Sequence, residues 1–117
     1  MSKNILKEKS YDFALSIIKE VLVIKDRHKE FDLSRQLIRS GTAVGALVRE
    51  AEFGQTKKDF IHKLSISLKE ANETDYWLSL LKDAGLMEMS SYKELSPKCE
   101  ELLKMLIASI KTARSNL

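Results

Sequence analysis

The chain has 117 residues, 44% of them hydrophobic and 32% charged, with one Pro, four Gly and one Cys. A length of about 100–150 residues is typical of a single core, so one domain spanning residues 1–117 is expected, large enough to fold without disulfide staples. The lone cysteine excludes a disulfide framework, and the mild net charge of +3 excludes an extreme polycation.

Charge is nonetheless unevenly placed: residues 1–58 hold 12 basic and 8 acidic side chains, whereas residues 59–117 hold 8 and 9. Met1–Ser10 is polar apart from Ile5 and Leu6, unlike a secretory leader. Val21–Ile24 is among the longest apolar runs, far short of the roughly 18 residues that span a bilayer. A cytoplasmic protein with no membrane contact is expected.

In chain order, Ala14, Ile17, Ile18, Val21, Leu22 and Ile24 recur at three- and four-residue steps and predict an amphipathic helix from about Ile5 to Arg27 or His28. After a charged connection, Asp32 is placed to cap a second helix carrying Leu33, Leu37, Val44, Leu47 and Val48. Gly41 and Gly45, one turn apart on this helix, predict close approach by a neighbouring helix, since each costs about 1 kcal/mol in a helix interior. Gly54 is suited to a left-handed C-cap, and Thr56 with Asp59 to a variant capping box.

The third helix is expected over Lys57 to Ala84, with Ile61, Leu64, Leu68, Ala71 and Leu78 inward and Gly85 ending it. The fourth starts at Ser91 or at Ser96, with a kink at Pro97 reconciling both signals, and buries Leu102, Leu103, Leu106, Ile107 and Ile110. Four helices with short connections predict an all-α, antiparallel up-down four-helix bundle.

Such a bundle can house a di-metal carboxylate site, but that needs Glu-x-x-His pairs, and neither His28 nor His62 has a Glu three residues before it. Glu70 and Glu73 share a face of the third helix and are expected to pair with Arg39 and Arg49; which arginines stay exposed is left open. Cys99 reads as a packed or surface thiol. No catalytic constellation, cofactor loop or metal site is expected. The basic residues are Arg35, Arg39 and Arg49 on the second helix and Lys57, Lys58 and Lys63 on the third. Lysines at a helix N-terminus oppose its dipole, so helix stability does not explain Lys57 and Lys58; a phosphate partner would, and so would a merely solvated loop.

Phe31-Asp32-Leu33, Gln36-Leu37-x-Arg39-Ser40, Gly45-Ala46 and Glu50-Ala51 resemble the second-helix signature of a known family. Lys57-Lys58-Asp59-Phe60-Ile61-x-Lys63-Leu64, followed by Ser67-Leu68-Lys69-Glu70-Ala71-x-Glu73-Thr74-x-Tyr76-Trp77-Leu78, resembles its third-helix signature. This is the four helix bundle protein family, also called the 23S rRNA-intervening sequence protein family. The family usually has Asn where this chain has Leu47. The resemblance implies bundles assembled into closed rings, with a homopentamer expected, and a similarity in fold to diversity-generating retroelement accessory proteins, which bind a reverse transcriptase and nucleic acid. No biochemical activity is established for the family.

The expectation is therefore a non-enzymatic, ring-forming bundle that binds nucleic acid, RNA favoured over DNA, through Arg35, Arg39, Arg49, Lys57, Lys58 and Lys63. The competing expectation is a protein-interaction scaffold, or an accessory subunit for a nucleic-acid enzyme such as a reverse transcriptase. Its support is the close-packing glycines and the apolar side chains of Tyr76, Trp77, Met87 and Met89, taken as exposed.

Overall fold

A computed structural model describes the backbone of residues 2–117 and the side chains of residues 5–117. It contains four helices: α1 Ser2–His28, α2 Asp32–Glu52, α3 Lys57–Asp83 and α4 Met89–Ser115, with no strand among the described residues. Each helix packs against its neighbours in the chain and α1 closes the square against α4, while the diagonal pairs do not meet. The short connections force neighbours to run antiparallel, giving a rod of 48 × 21 × 20 Å.

One end of the rod therefore gathers the start of α1, the end of α2, the start of α3 and the end of α4. The opposite end gathers the other four termini. The α1–α4 seam is the least extensive of the four.

The core runs the length of the rod. Phe13, Ile17, Val21 and Ile24 of α1 meet Leu37 and Val44 of α2, Leu64, Ala71, Leu78 and Leu81 of α3, and Leu102 and Leu106 of α4, all essentially inaccessible to water. Several residues expected inside are not. Leu22 and Ile107 are exposed, at 61% and 53%, and Leu33, Leu47, Leu68 and Leu103 are half-buried. Ser40, Ser67 and Thr74 occupy core positions instead. Small residues let α2 and α3 approach closely, and each hydroxyl is satisfied. Thr74 Oγ1 donates to Ser40 Oγ at 2.9 Å or to the Glu70 carbonyl at 2.8 Å, and Ser67 Oγ donates to the Val44 carbonyl at 2.9 Å.

The glycine pair acts as expected on the α1 side. A Cβ on Gly41 would lie 2.9 Å from the Ile17 side chain, and one on Gly45 would lie 3.1 Å from the Ser10 carbonyl oxygen.

The helix ends differ from expectation in several places. α1 begins at Ser2, three residues before the expected Ile5. Asp32 does not cap α2; it is the first helical residue. The Glu30 carboxylate reaches forward instead and accepts from the Leu33 and Ser34 amides at 2.8 and 3.1 Å. Its longer side chain spans the turn made by Lys29, which sits at φ 52°. Gly54 is not left-handed; a side chain there would crowd the Phe60 amide at 3.1 Å, so the position needs smallness rather than positive φ.

Thr56 does cap α3, its Oγ1 accepting from the Asp59 amide at 3.0 Å. Gly85, at φ 78°, ends α3 with Leu86 N–H donating to the Leu81 carbonyl and Gly85 N–H to that of Lys82, a Schellman closure. α4 starts at Met89, before either serine, and runs through Pro97 as one helix. Pro97 and Lys93 are both exposed, so the bond that proline forgoes lies on the water side.

Candidate nucleic-acid interface

The six cations expected to form one surface divide into two groups. Arg35 and Arg39 lie in the first two turns of α2, and Arg49 in its last. At 1.5 Å per residue, Arg35 and Arg49 stand about 21 Å apart along the axis. Lys57, Lys58 and Lys63 open α3, beside the end of α2 that carries Arg49.

The first group is tied down. Arg39 bridges both acids of α3: its Nη1 lies 3.2 Å from Glu70 Oε1 and its Nη2 binds Glu73. Glu73 Oε2 also accepts from Trp77 Nε1 at 3.0 Å, and this bond, together with Arg39, holds its carboxyl below the usual carboxylate range. The hydrogen bond to Glu73 in turn raises the Arg39 pKa further. Arg35 reaches Asp32 more loosely, at 3.5 Å with its side chain 69% exposed. The expected pairing of the α3 acids with α2 arginines thus holds for Arg39 but not for Arg49, which lies more than two turns further along.

In the second group only Lys63 is paired, to Glu50 at 2.8 Å. Arg49, Lys57 and Lys58 are exposed and make no ion pair among the described residues. The fold adds to them Lys111 and Arg114 from the end of α4, also exposed and without an ion pair among the described residues. Arg114, in the last turn of α4, also suits that helix's dipole. The signal that finds the two cations is the acid-free tail: residues 102–117 contain Lys104, Lys111 and Arg114 and no Asp or Glu.

A second feature lies on the outer face of α1 and α2: a groove of about 1070 Å³ walled by Tyr11, Leu15 and Ile18 on one side and Ala46, Arg49 and Phe53 on the other. Phe53 is 80% exposed and Tyr11 55%. Ala14 and Ile18, expected in the core, line this groove instead because the apolar arc of α1 is wider than the core needs. The apolar side chains expected to be exposed behave unevenly. Tyr76 and Met89 are exposed, Trp77 is half-buried with its ring edge against Tyr76, and Met87 is buried at 4%.

Cys99 is buried and donates to the Ala71 carbonyl at 3.3 Å; burial pushes its thiol up to about 12. Among the described residues no group of three or more His, Cys, Asp or Glu is placed to hold a metal, and no helix is long and apolar enough to cross a membrane.

Residues 2–108 match the family described as 23S rRNA-intervening sequence protein. The chain belongs to that family. A solved structure from Bacteroides thetaiotaomicron VPI-5482, a protein with unknown function from the S23 ribosomal protein family, is 44% identical, with 95% of this chain and 99% of that chain covered and a TM-score of 0.92. No curated protein matches the chain. Membership in the 23S rRNA-intervening sequence family agrees with the four-helix bundle and with the two helix signatures in α2 and α3. Leu47 is half-buried on α2.

Proposed function

We propose that this protein is a non-enzymatic bundle that binds nucleic acid, RNA in preference to DNA, through phosphate contacts made by the end of the rod that carries Arg49, Lys57 and Lys58. The observation that carries the reading is that these cations are exposed and make no ion pair among the described residues. Arg35, Arg39 and Lys63 are not part of this contact surface, since each already holds an acid. Contacts of this kind fix the protein on the backbone without reading bases, and affinity then falls steeply with salt. The family's description, which refers to 23S rRNA, supports RNA as the polymer.

The reading includes self-assembly into a closed ring, a pentamer as the family resemblance implies, within the cytoplasm. A ring would repeat the cationic end and sum weak contacts. Fluorescence-anisotropy titration of structured RNA and duplex DNA at low and physiological salt tests it. Tight, salt-steep RNA binding is expected; absence of binding at low salt contradicts it.

The groove favours a second reading, a scaffold that receives a protein partner such as a polymerase. Contiguous exposed apolar surface at Tyr11, Leu15 and Phe53 is the support. Retention of one specific protein that survives nuclease treatment, and its loss in Leu15→Glu, is the outcome this reading expects.

A further inference from the structure

Where α3 begins and α4 finishes, the surface holds a shallow concavity of about 580 Å³ lined by Lys58, Ile61, His62, Ser65, Arg114 and Leu117. Helix geometry builds it. Lys58, His62 and Ser65 fall at i, i+4 and i+7 of α3, so they stand one above another on a single face. Arg114 comes from the last turn of α4, the helix packed beside α3. Ile61, buried in the core, anchors the base.

Three properties select the ligand. First, none of the six lining residues has an acidic side chain, and Lys58, His62 and Arg114 make no ion pair among the described residues. Cations brought together from two helices with no acidic side chain between them repel one another, and Lys58 additionally opposes the α3 dipole. The dipole of α4 accounts for Arg114, whereas no acidic side chain among the described residues pairs with Lys58.

Second, the donors are of complementary kinds. A planar guanidinium fork, an ammonium, an imidazole N–H and a hydroxyl together match the several oxygens of one phosphate. Third, no aromatic ring lines the concavity, so it offers no platform for stacking a base. The chemistry is that of a phosphate and not of a nucleobase.

We propose that this concavity is a phosphate-binding site in which Lys58 and Arg114 hold the anion and His62 donates a hydrogen bond to it. The proposal deepens the nucleic-acid reading, and rests on it only for the source of the phosphate: a phosphodiester of RNA or a free phosphate presents the same oxygens.

The two histidines make the test internal. His62 lies at this site, whereas His28 ends α1 at the opposite end of the rod. The whole protein is titrated with inorganic phosphate, and separately with short single-stranded RNA, while both imidazoles are followed by NMR. The expected result is movement of the His62 resonances with those of His28 unchanged. Arg114→Gln and Lys58→Gln should each weaken the response about tenfold, as loss of one charge-assisted contact does. Each should also lower the slope of log affinity against log salt for RNA by about 1.

Circular dichroism should show both variants fully helical, because neither side chain makes an ion pair among the described residues. Movement of His62 that persists undiminished in both variants overturns the proposal, as does equal movement of both histidines. RNA binding by the natural protein without any His62 response overturns this site and leaves the nucleic-acid reading standing. Movement of His62 with phosphate but no binding of RNA supports the site and removes that reading.

Discussion

At the end of the rod where α2 begins and α3 finishes, Arg39 lies between Glu70 and Glu73, Arg35 reaches Asp32, and Arg27 binds Glu88 at 2.7 Å. At the opposite end Lys57, Lys58, Lys111 and Arg114 reach no carboxylate among the described residues. Neither end is uniform: Lys63 and Lys7 hold Glu50 and Glu52 at the cationic end, and Lys29 and Lys93 are exposed without an ion pair among the described residues at the other. Acid is abundant at the paired end: burial pushes the Glu20 carboxyl up, against a hydrogen bond from Ser91, with Glu88 and Glu94 adding repulsion. The lesson is that the number of cations on a helix does not measure what a polyanion can use. Their partners do.

If the two ends differ only at the surface, the core beneath them should respond alike. Leu64, toward the cationic end, and Leu78, toward the paired end, are 1% and 0% exposed. Leu64→Ala and Leu78→Ala should each cost about 2–5 kcal/mol in urea unfolding. A large difference between them would show that the ends differ in packing and not in charge alone. Gly41→Ala sharpens the α1–α2 contact: the added methyl meets Ile17 at 2.9 Å. Overpacking of about 1–3 kcal/mol should outweigh the helix-propensity gain of about 1 kcal/mol, giving a lower melting temperature.

A change of pH probes the core without substitution. The Cys99 pKa is raised from 9.0 to about 12, so the folded thiol keeps its proton where the unfolded one has lost it. Its contribution to stability is complete below pH 9 and is lost as pH rises toward 12, and Cys99→Ala should remove that dependence. At the surface, Arg39→Gln should cost at most about 1 kcal/mol, because the pair is largely exposed, and should leave RNA affinity unaltered. Lys57→Gln with Lys58→Gln should do the reverse. Relief at the α3 N-terminus raises stability by about 0.5 kcal/mol per residue, while RNA affinity falls.

Much of this architecture is legible in the sequence because helical periodicity and helix stops are local. The α3 boundaries, the Thr56 cap and the Gly85 stop all follow from neighbouring residues, as does the need for small residues at Gly41 and Gly45. What local reading misses depends on the partner helix. Ser40, Ser67 and Thr74 look like surface residues until α2 and α3 are placed against each other and their hydroxyls find acceptors. Leu22 and Ile18 look like core until α1 is seen to have two apolar faces, one of which opens on the groove.

The candidate site was half legible for the same reason. Lys57 and Lys58 stand out in the sequence through their conflict with the α3 dipole, which is local. Arg114 and His62 become part of the same surface only once α4 returns beside α3, some 50 residues later in the chain. Arg39 leaves the surface only once Glu70 and Glu73 arrive from α3.

The central claim is that unpaired cations at one end, and not the basic residues at large, bind nucleic acid. The direct measurement is RNA affinity as a function of salt for three proteins: the natural chain, Lys57→Gln/Lys58→Gln/Arg114→Gln, and Arg35→Gln/Arg39→Gln. The account predicts that the first triple variant loses about 2–3 units of slope in log affinity against log salt, while the second variant retains the natural slope. Equal losses in both variants, or no loss in the triple variant, would contradict it.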